Sequence, residues 1–109
     1  MLKIGTILYK EHMGKTRPFV CISKYTNNAG VVYNYLIAPI TSSSKLGDEN
    51  LVAINHDLLK GSFIKINNIQ TIQEVDLDSV KISKFQLDKT EIRYAIVKII
   101  KILKKWEKM

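Results

Sequence analysis

The chain has 109 residues, enough for a single domain spanning 1–109, and 46% of them are apolar, so a packed core is within reach and a disordered linker is excluded. Its formal net charge of +7 favours polyanionic partners: nucleic acid, an anionic membrane surface or an acidic protein. An ordinary lysine-rich solvated surface accounts for the same excess, and nine Lys or Arg against three Asp or Glu in residues 81–109 place much of it in the last segment.

The single cysteine, Cys21, has no partner for an intramolecular disulfide. Together with the lack of a signal-peptide pattern, this leads us to expect a reducing, cytoplasmic setting. Residues 95–103 are apolar but interrupted by Lys98 and Lys101, so no transmembrane helix and no membrane association are expected.

Taken in order, residues 4–9 read as a first strand rich in pleat-favouring types, with Gly5 marking a bulge or a close backbone approach. Residues 10–16 read as a polar loop with Gly14 as its flexible point. Pro18 opens the next strand and pushes Arg17 toward extended geometry, which holds the guanidinium at a strand mouth. Residues 19–22 are continuously apolar, as in a central strand. Residues 26–30 are turn-like, and residues 31–37 alternate as a strand. On that strand Val31, Tyr33, Tyr35 and Ile37 share one face, and Val32, Asn34, Leu36 and Ala38 share the other. Pro39 is expected at the edge or end of pairing.

Residues 42–50 form a polar loop. A short strand at 51–54 follows, then a capped turn at 55–61. Residues 62–66 and 69–75 read as strands around a turn at Asn67 and Asn68, with a short further piece at 80–85. From Asp88 onward the apolar period becomes helical (Ile92, Ala95, Ile96, Ile99, Ile100, Leu103, Trp106). Asp88 and Glu91 have capping-box spacing, although Thr90 is an alternative cap. Lysines in the last turns suit the helix dipole. The expected fold is mainly β with a C-terminal helix (α+β), a small and strongly bent sheet or barrel with the helix packed against it.

The functional signal lies in two strands. Residues 24–30 can fold 17–23 and 38–43 into antiparallel neighbours, which brings Arg17 and Thr41 to one sheet edge. A guanidinium and a hydroxyl converging there can grip a phosphate. No cluster of His, Cys or acidic residues has ligand spacing, so neither metal nor cofactor is expected. Ser42, Ser43 and Lys45 are candidate phosphate contacts in the adjoining loop, where a plain polar loop is the competing reading. Tyr9, Tyr25, Tyr33 and Tyr35 could stack bases or fill the core. Cys21 reads as packing, and Trp106 as a helix-to-sheet or dimer contact.

Five stretches in order resemble the MazF/PemK/Kid family of toxin endoribonucleases. These are Ile4-Gly5-Thr6-Ile7, Gly14-Lys15-Thr16-Arg17-Pro18-Phe19-Val20, Ala38-Pro39-Ile40-Thr41-Ser42, Gly61-Ser62-Phe63-Ile64 and Ile69-Gln70-Thr71-Ile72, with Asn68 in the leading amide position. The resemblance implies an SH3-like β-barrel, usually a homodimer, silenced by a protein antitoxin with an acidic tail. It implies metal-independent cleavage of single-stranded RNA at short sequences. The 2′-hydroxyl attacks the adjacent phosphate and leaves a 2′,3′-cyclic phosphate and a 5′-hydroxyl. Carried over, Arg17 and Thr41 are the catalytic pair. His12 lies near a loop position where some relatives carry a catalytic histidine. Lys15, Thr16, Ser42, Ser43, Lys45, Asn68 and Gln70 are candidate RNA contacts. Two departures stand out: the loop before Gly14 is short, and Gln70 replaces an arginine common in relatives. The competing classes are a non-catalytic toxin that binds gyrase, an RNA-binding adaptor on the same fold, and a toxin controlled by an RNA antitoxin.

Overall fold

The computed structural model describes residues 2–42, 51–54 and 61–107, apart from the side chains of 67, 106 and 107. Its strands are β1 (Thr6–His12), β2 (Lys15–Thr26), β3 (Val32–Thr41), β4 (Leu51–Ala53), β5 (Phe63–Lys65), β6 (Gln70–Gln73) and β7 (Lys81–Gln86), followed by helix α1 (Lys89–Glu107). They form one antiparallel sheet in the order β4-β5-β3-β2-β1-β7, with β6 also pairing with β3. The sheet is open: among the described residues, β4 and β7 end it and do not join. None of the described helices is long and apolar enough to cross a membrane.

The apolar run in β2 lies between β1 and β3, as its composition requires of a central strand. Side chains alternate across a strand, and here both faces are covered. On one face Ile7, Val20, Ile22, Ala38 and Ile40 pack with Ile64 of β5 and with Ile92 and Ala95 of α1. On the other, Leu8, Phe19, Cys21, Tyr35 and Ile37 pack with Leu2, Ile72 and Leu77. Leu77 comes from a 3-10 segment, Glu74–Ser79, that replaces the end of the strand expected over 69–75.

Two local expectations are corrected, for residues 10–16 and for Gly5, and that for Pro39 is met. Residues 10–16 are not a polar loop: β1 runs on to His12, and a two-residue turn returns the chain into β2 at Lys15. Met13 and Gly14 have φ of 53° and 80°, the backbone of a tight hairpin turn that follows the strand twist. Pro39 does stand at an end of pairing, because the β2–β3 ladder closes at Phe19 with Pro39, although β3 itself continues to Thr41. On the side away from β2, β6 pairs with β3 as far as Ile37 and β5 pairs from Ile40, so Pro39 falls in the gap between those two partners. A missing N–H is tolerated there. Gly5 lies just before β1, not inside it. Its φ is 94°, its N–H donates to the Cys21 carbonyl at 2.7 Å, and its carbonyl accepts from Leu87 N–H at 2.8 Å. A Cβ at Gly5 would collide with the Leu87 carbonyl oxygen. The sequence cue of a close approach is therefore real, and it ties the N-terminal segment to the entry of α1.

Helix α1 is capped by Asp88, whose Oδ1 accepts from the Glu91 N–H at 3.0 Å, which decides between the two candidate caps. Ile92, Ala95, Ile99 and Ile102 turn toward the core. Lys98 Nζ donates to the Leu51 carbonyl at 2.6 Å and fastens β4 to the helix. The loop expected at 42–50, beyond Ser42, and the turn expected at 55–61, before Gly61, lie outside the described residues.

Candidate functional site

The β1–β2 hairpin places its residues in strict register: Lys10 faces Arg17, Glu11 faces Thr16, and His12 faces Lys15. On the other side of β2, Phe19 pairs with Pro39. The β2–β3 ladder ends at that pair: Arg17 lies two residues before it on β2, and Thr41, the last residue of β3, lies two residues beyond it and pairs with Phe63 of β5. Alternation then gathers Lys10, His12, Lys15, Arg17 and Thr41 on the face that carries Phe19, Tyr35 and Ile37. The pairing of Gln70 with Ile37, next to Leu36 with Thr71 and Tyr35 with Ile72, brings Gln70 to that face as well.

Side chains there are joined. Lys10 Nζ donates to Gln70 Oε1 at 2.9 Å. Gln70 Nε2 lies 3.2 Å from His12 Nδ1. Phe19, fully buried, is the platform beneath them: the His12 ring meets it edge-on with centroids 5.8 Å apart, and Lys10 Nζ stands 5.4 Å from its centre. Both arrangements suit the quadrupole of the phenyl ring.

Electrostatics single out the same place. Lys10 and Arg17 are like charges directly opposite each other on neighbouring strands, which is unfavourable until an anion lies between them. Lys15, exposed on the same face, adds a third cation. Cys21 is the only thiol, and burial pushes it up to about 11, so it stays protonated near neutral pH. Among the described residues, no three His, Cys, Asp or Glu side chains gather as a metal site.

The remaining candidates divide. Thr16 is exposed at the start of β2, and alternation turns it to the face opposite Arg17. Ser42 is exposed just beyond β3, and Asn68 is exposed at the end of the 3-10 turn Ile66–Asn68. Ser43 and Lys45 lie outside the described residues. Of the tyrosines, Tyr35 is core, Tyr9 packs on the α1-side core, and Tyr25 and Tyr33 are exposed. Lys10 is the site residue that sequence reading left out. Reading residues 10–16 as a loop hid the alternation Leu8, Lys10, His12 that carries it onto this face.

No protein-family model matches this chain, and no curated protein matches it. The case for a function rests on the motifs and on the geometry they adopt. That geometry gathers three cations and an imidazole on one face of the sheet, with Thr41 at a strand end on the same face.

Proposed function

We propose that this protein is a metal-independent endoribonuclease of the MazF/PemK/Kid kind, cleaving single-stranded RNA. The observation that carries the reading is the pairing of Lys10 with Arg17 in the β1–β2 hairpin, on the face to which alternation also brings Thr41. Five ordered motifs with the family's arginine and threonine support it from the sequence. The open sheet and its C-terminal helix are compatible with the SH3-like barrel of that family, and the proposal includes that fold type, a homodimer and a cytoplasmic setting.

In the reaction, the ribose 2′-hydroxyl attacks the adjacent phosphorus in line, and the 5′ oxygen of the next nucleotide leaves. Negative charge grows on the non-bridging oxygens. The Arg17 guanidinium presents paired donors to those oxygens, and the Thr41 hydroxyl orients the phosphate or the 2′-hydroxyl. Lys10 and Lys15 supply further positive potential. A protein antitoxin with an acidic tail would neutralise the same cations.

The test is incubation of purified protein with a long labelled RNA in EDTA, beside Arg17→Ala, with the product ends mapped. Cuts at one short motif, ending in cyclic phosphate and lost in the variant, are expected. Intact RNA from folded, antitoxin-free protein would sink the reading and turn attention to a gyrase-binding toxin or an RNA-binding adaptor.

A further inference from the structure

The Lys10–Gln70–His12 chain fixes a protonation pattern through donor and acceptor chemistry. A lysine ammonium has only donors, so its 2.9 Å bond orients the Gln70 amide with Oε1 toward Lys10. The amide NH2 then faces His12 and donates across 3.2 Å to Nδ1. Nδ1 accepts only when it carries no proton, which is the tautomer with the proton on Nε2. The nitrogen left for a substrate is a hydrogen-bond donor with no lone pair to offer. The edge-on contact with Phe19 holds the plane of the ring, and the bond from Gln70 selects which nitrogen faces the amide.

We infer that Gln70 is a positioning residue that presents His12 to the RNA phosphate as a neutral Nε2–H donor, so that His12 does not serve as the general base. The inference rests on the ribonuclease reading above and assigns the cluster its role. In the step, the 2′ oxygen–phosphorus bond forms as the phosphorus–5′ oxygen bond breaks. The 2′-hydroxyl proton leaves to solvent, water returns a proton to the departing 5′ oxygen, and His12 keeps its own proton throughout. Its N–H adds one hydrogen bond to a phosphate oxygen whose charge is growing.

Two variants and one spectrum test this. His12→Gln places an amide N–H near the position of Nε2, whereas His12→Ala offers nothing. His12→Gln is expected to cleave within about threefold of wild type, and His12→Ala to lose about tenfold or more. Long-range 1H–15N NMR reads the tautomer directly, and with only two histidines in the chain the His12 signal is the one missing in His12→Gln. Wild type should carry its proton on Nε2. Gln70→Glu, which only accepts hydrogen bonds, should move it to Nδ1 and slow cleavage although His12 is intact. His12→Gln as slow as His12→Ala while folded, or a wild-type proton on Nδ1, overturns this inference alone. Wild-type protein that leaves RNA uncut overturns the ribonuclease reading and this role with it, while the spectrum still reports the tautomer.

Discussion

On the proposed reading Arg17 and Thr41 act together from one face of the sheet, and each contributes something the other lacks. A guanidinium gives a planar pair of donors that match two phosphate oxygens, and a lysine in its place keeps the charge but loses the fork. Arg17→Ala should therefore lower the cleavage rate about 100-fold or more. Arg17→Lys should recover only a small part of that, in single-turnover assays with RNA bound to saturation. Away from the site, Tyr35 is wholly buried; its hydroxyl accepts from the Leu2 N–H at 3.0 Å and donates to Glu74. Burial first, and then the bond to Glu74, push the phenol up to about 12, and the same bond lowers the Glu74 carboxyl. The signs follow from which state holds the proton more tightly. Folded Tyr35 binds its proton more tightly than the unfolded chain, so stability should fall as pH rises from about 10 to about 12. Folded Glu74 binds its proton more weakly, so its contribution is present above the ordinary carboxylate range and fades as pH falls through its lowered value. Denaturant titrations of wild type and Tyr35→Phe across both windows check this; the variant should lack the alkaline loss and should be less stable at neutral pH by about 1–3 kcal/mol. Arg17 and Thr41 were singled out in the sequence because Arg17 precedes Pro18 and an apolar run and Thr41 follows Pro39-Ile40, and alternation puts both on one face of the sheet. The Lys10–Gln70–His12 chain was not, because it depends on β6 docking near β1 from far along the chain, and no local pattern encodes that.

The element that sets the site's precision is the β1–β2 hairpin. Its turn asks for positive φ at both central positions; Gly14 meets this without strain, and Met13 does not. Met13→Asn should stabilise the protein by about 0.5–1 kcal/mol, since asparagine tolerates the left-handed region, and should leave cleavage unchanged. Chemical denaturation and the single-turnover rate measure the two halves of that statement. Gly5→Ala should act in the opposite direction, because its new methyl meets the backbone oxygen of Leu87 and neither chain segment can move without breaking the bonds that tie them. A loss of about 2 kcal/mol or more is expected, read as a lowered denaturation midpoint. The contrast shows which elements a sequence discloses. The helix was legible because the period from Ile92 onward is a local signal, whereas its cap lay open between Asp88 and Thr90 until the Glu91 N–H was seen on Asp88. The hairpin was misread as a loop because methionine stands where asparagine or glycine would have announced the turn. The 3-10 segment Glu74–Ser79 was hidden for a different reason: it is held by Leu77 packing under the sheet, a tertiary contact that outweighs the strand-like run before it.

For the whole molecule, the question is whether the charge of +7 is a general surface property or is focused on the site. Lys10, Lys15 and Arg17 share one face of the hairpin, while Lys101 and Lys104 are exposed on the later turns of α1. Binding of single-stranded RNA releases about 0.7 counterions per phosphate neutralised, so the slope of log affinity against log salt counts the cations that touch RNA. With an RNA analogue lacking the 2′-hydroxyl, which binds but cannot be cut, Lys15→Ala should flatten that slope by about 0.7. The pair Lys101→Ala and Lys104→Ala should change net charge by twice as much and yet leave the slope where it was. Fluorescence anisotropy between about 50 and 200 mM salt resolves such a difference. Equal flattening by both sets would mean that RNA is drawn to the whole basic surface, and the hairpin face would lose its claim to be the place where the phosphate sits.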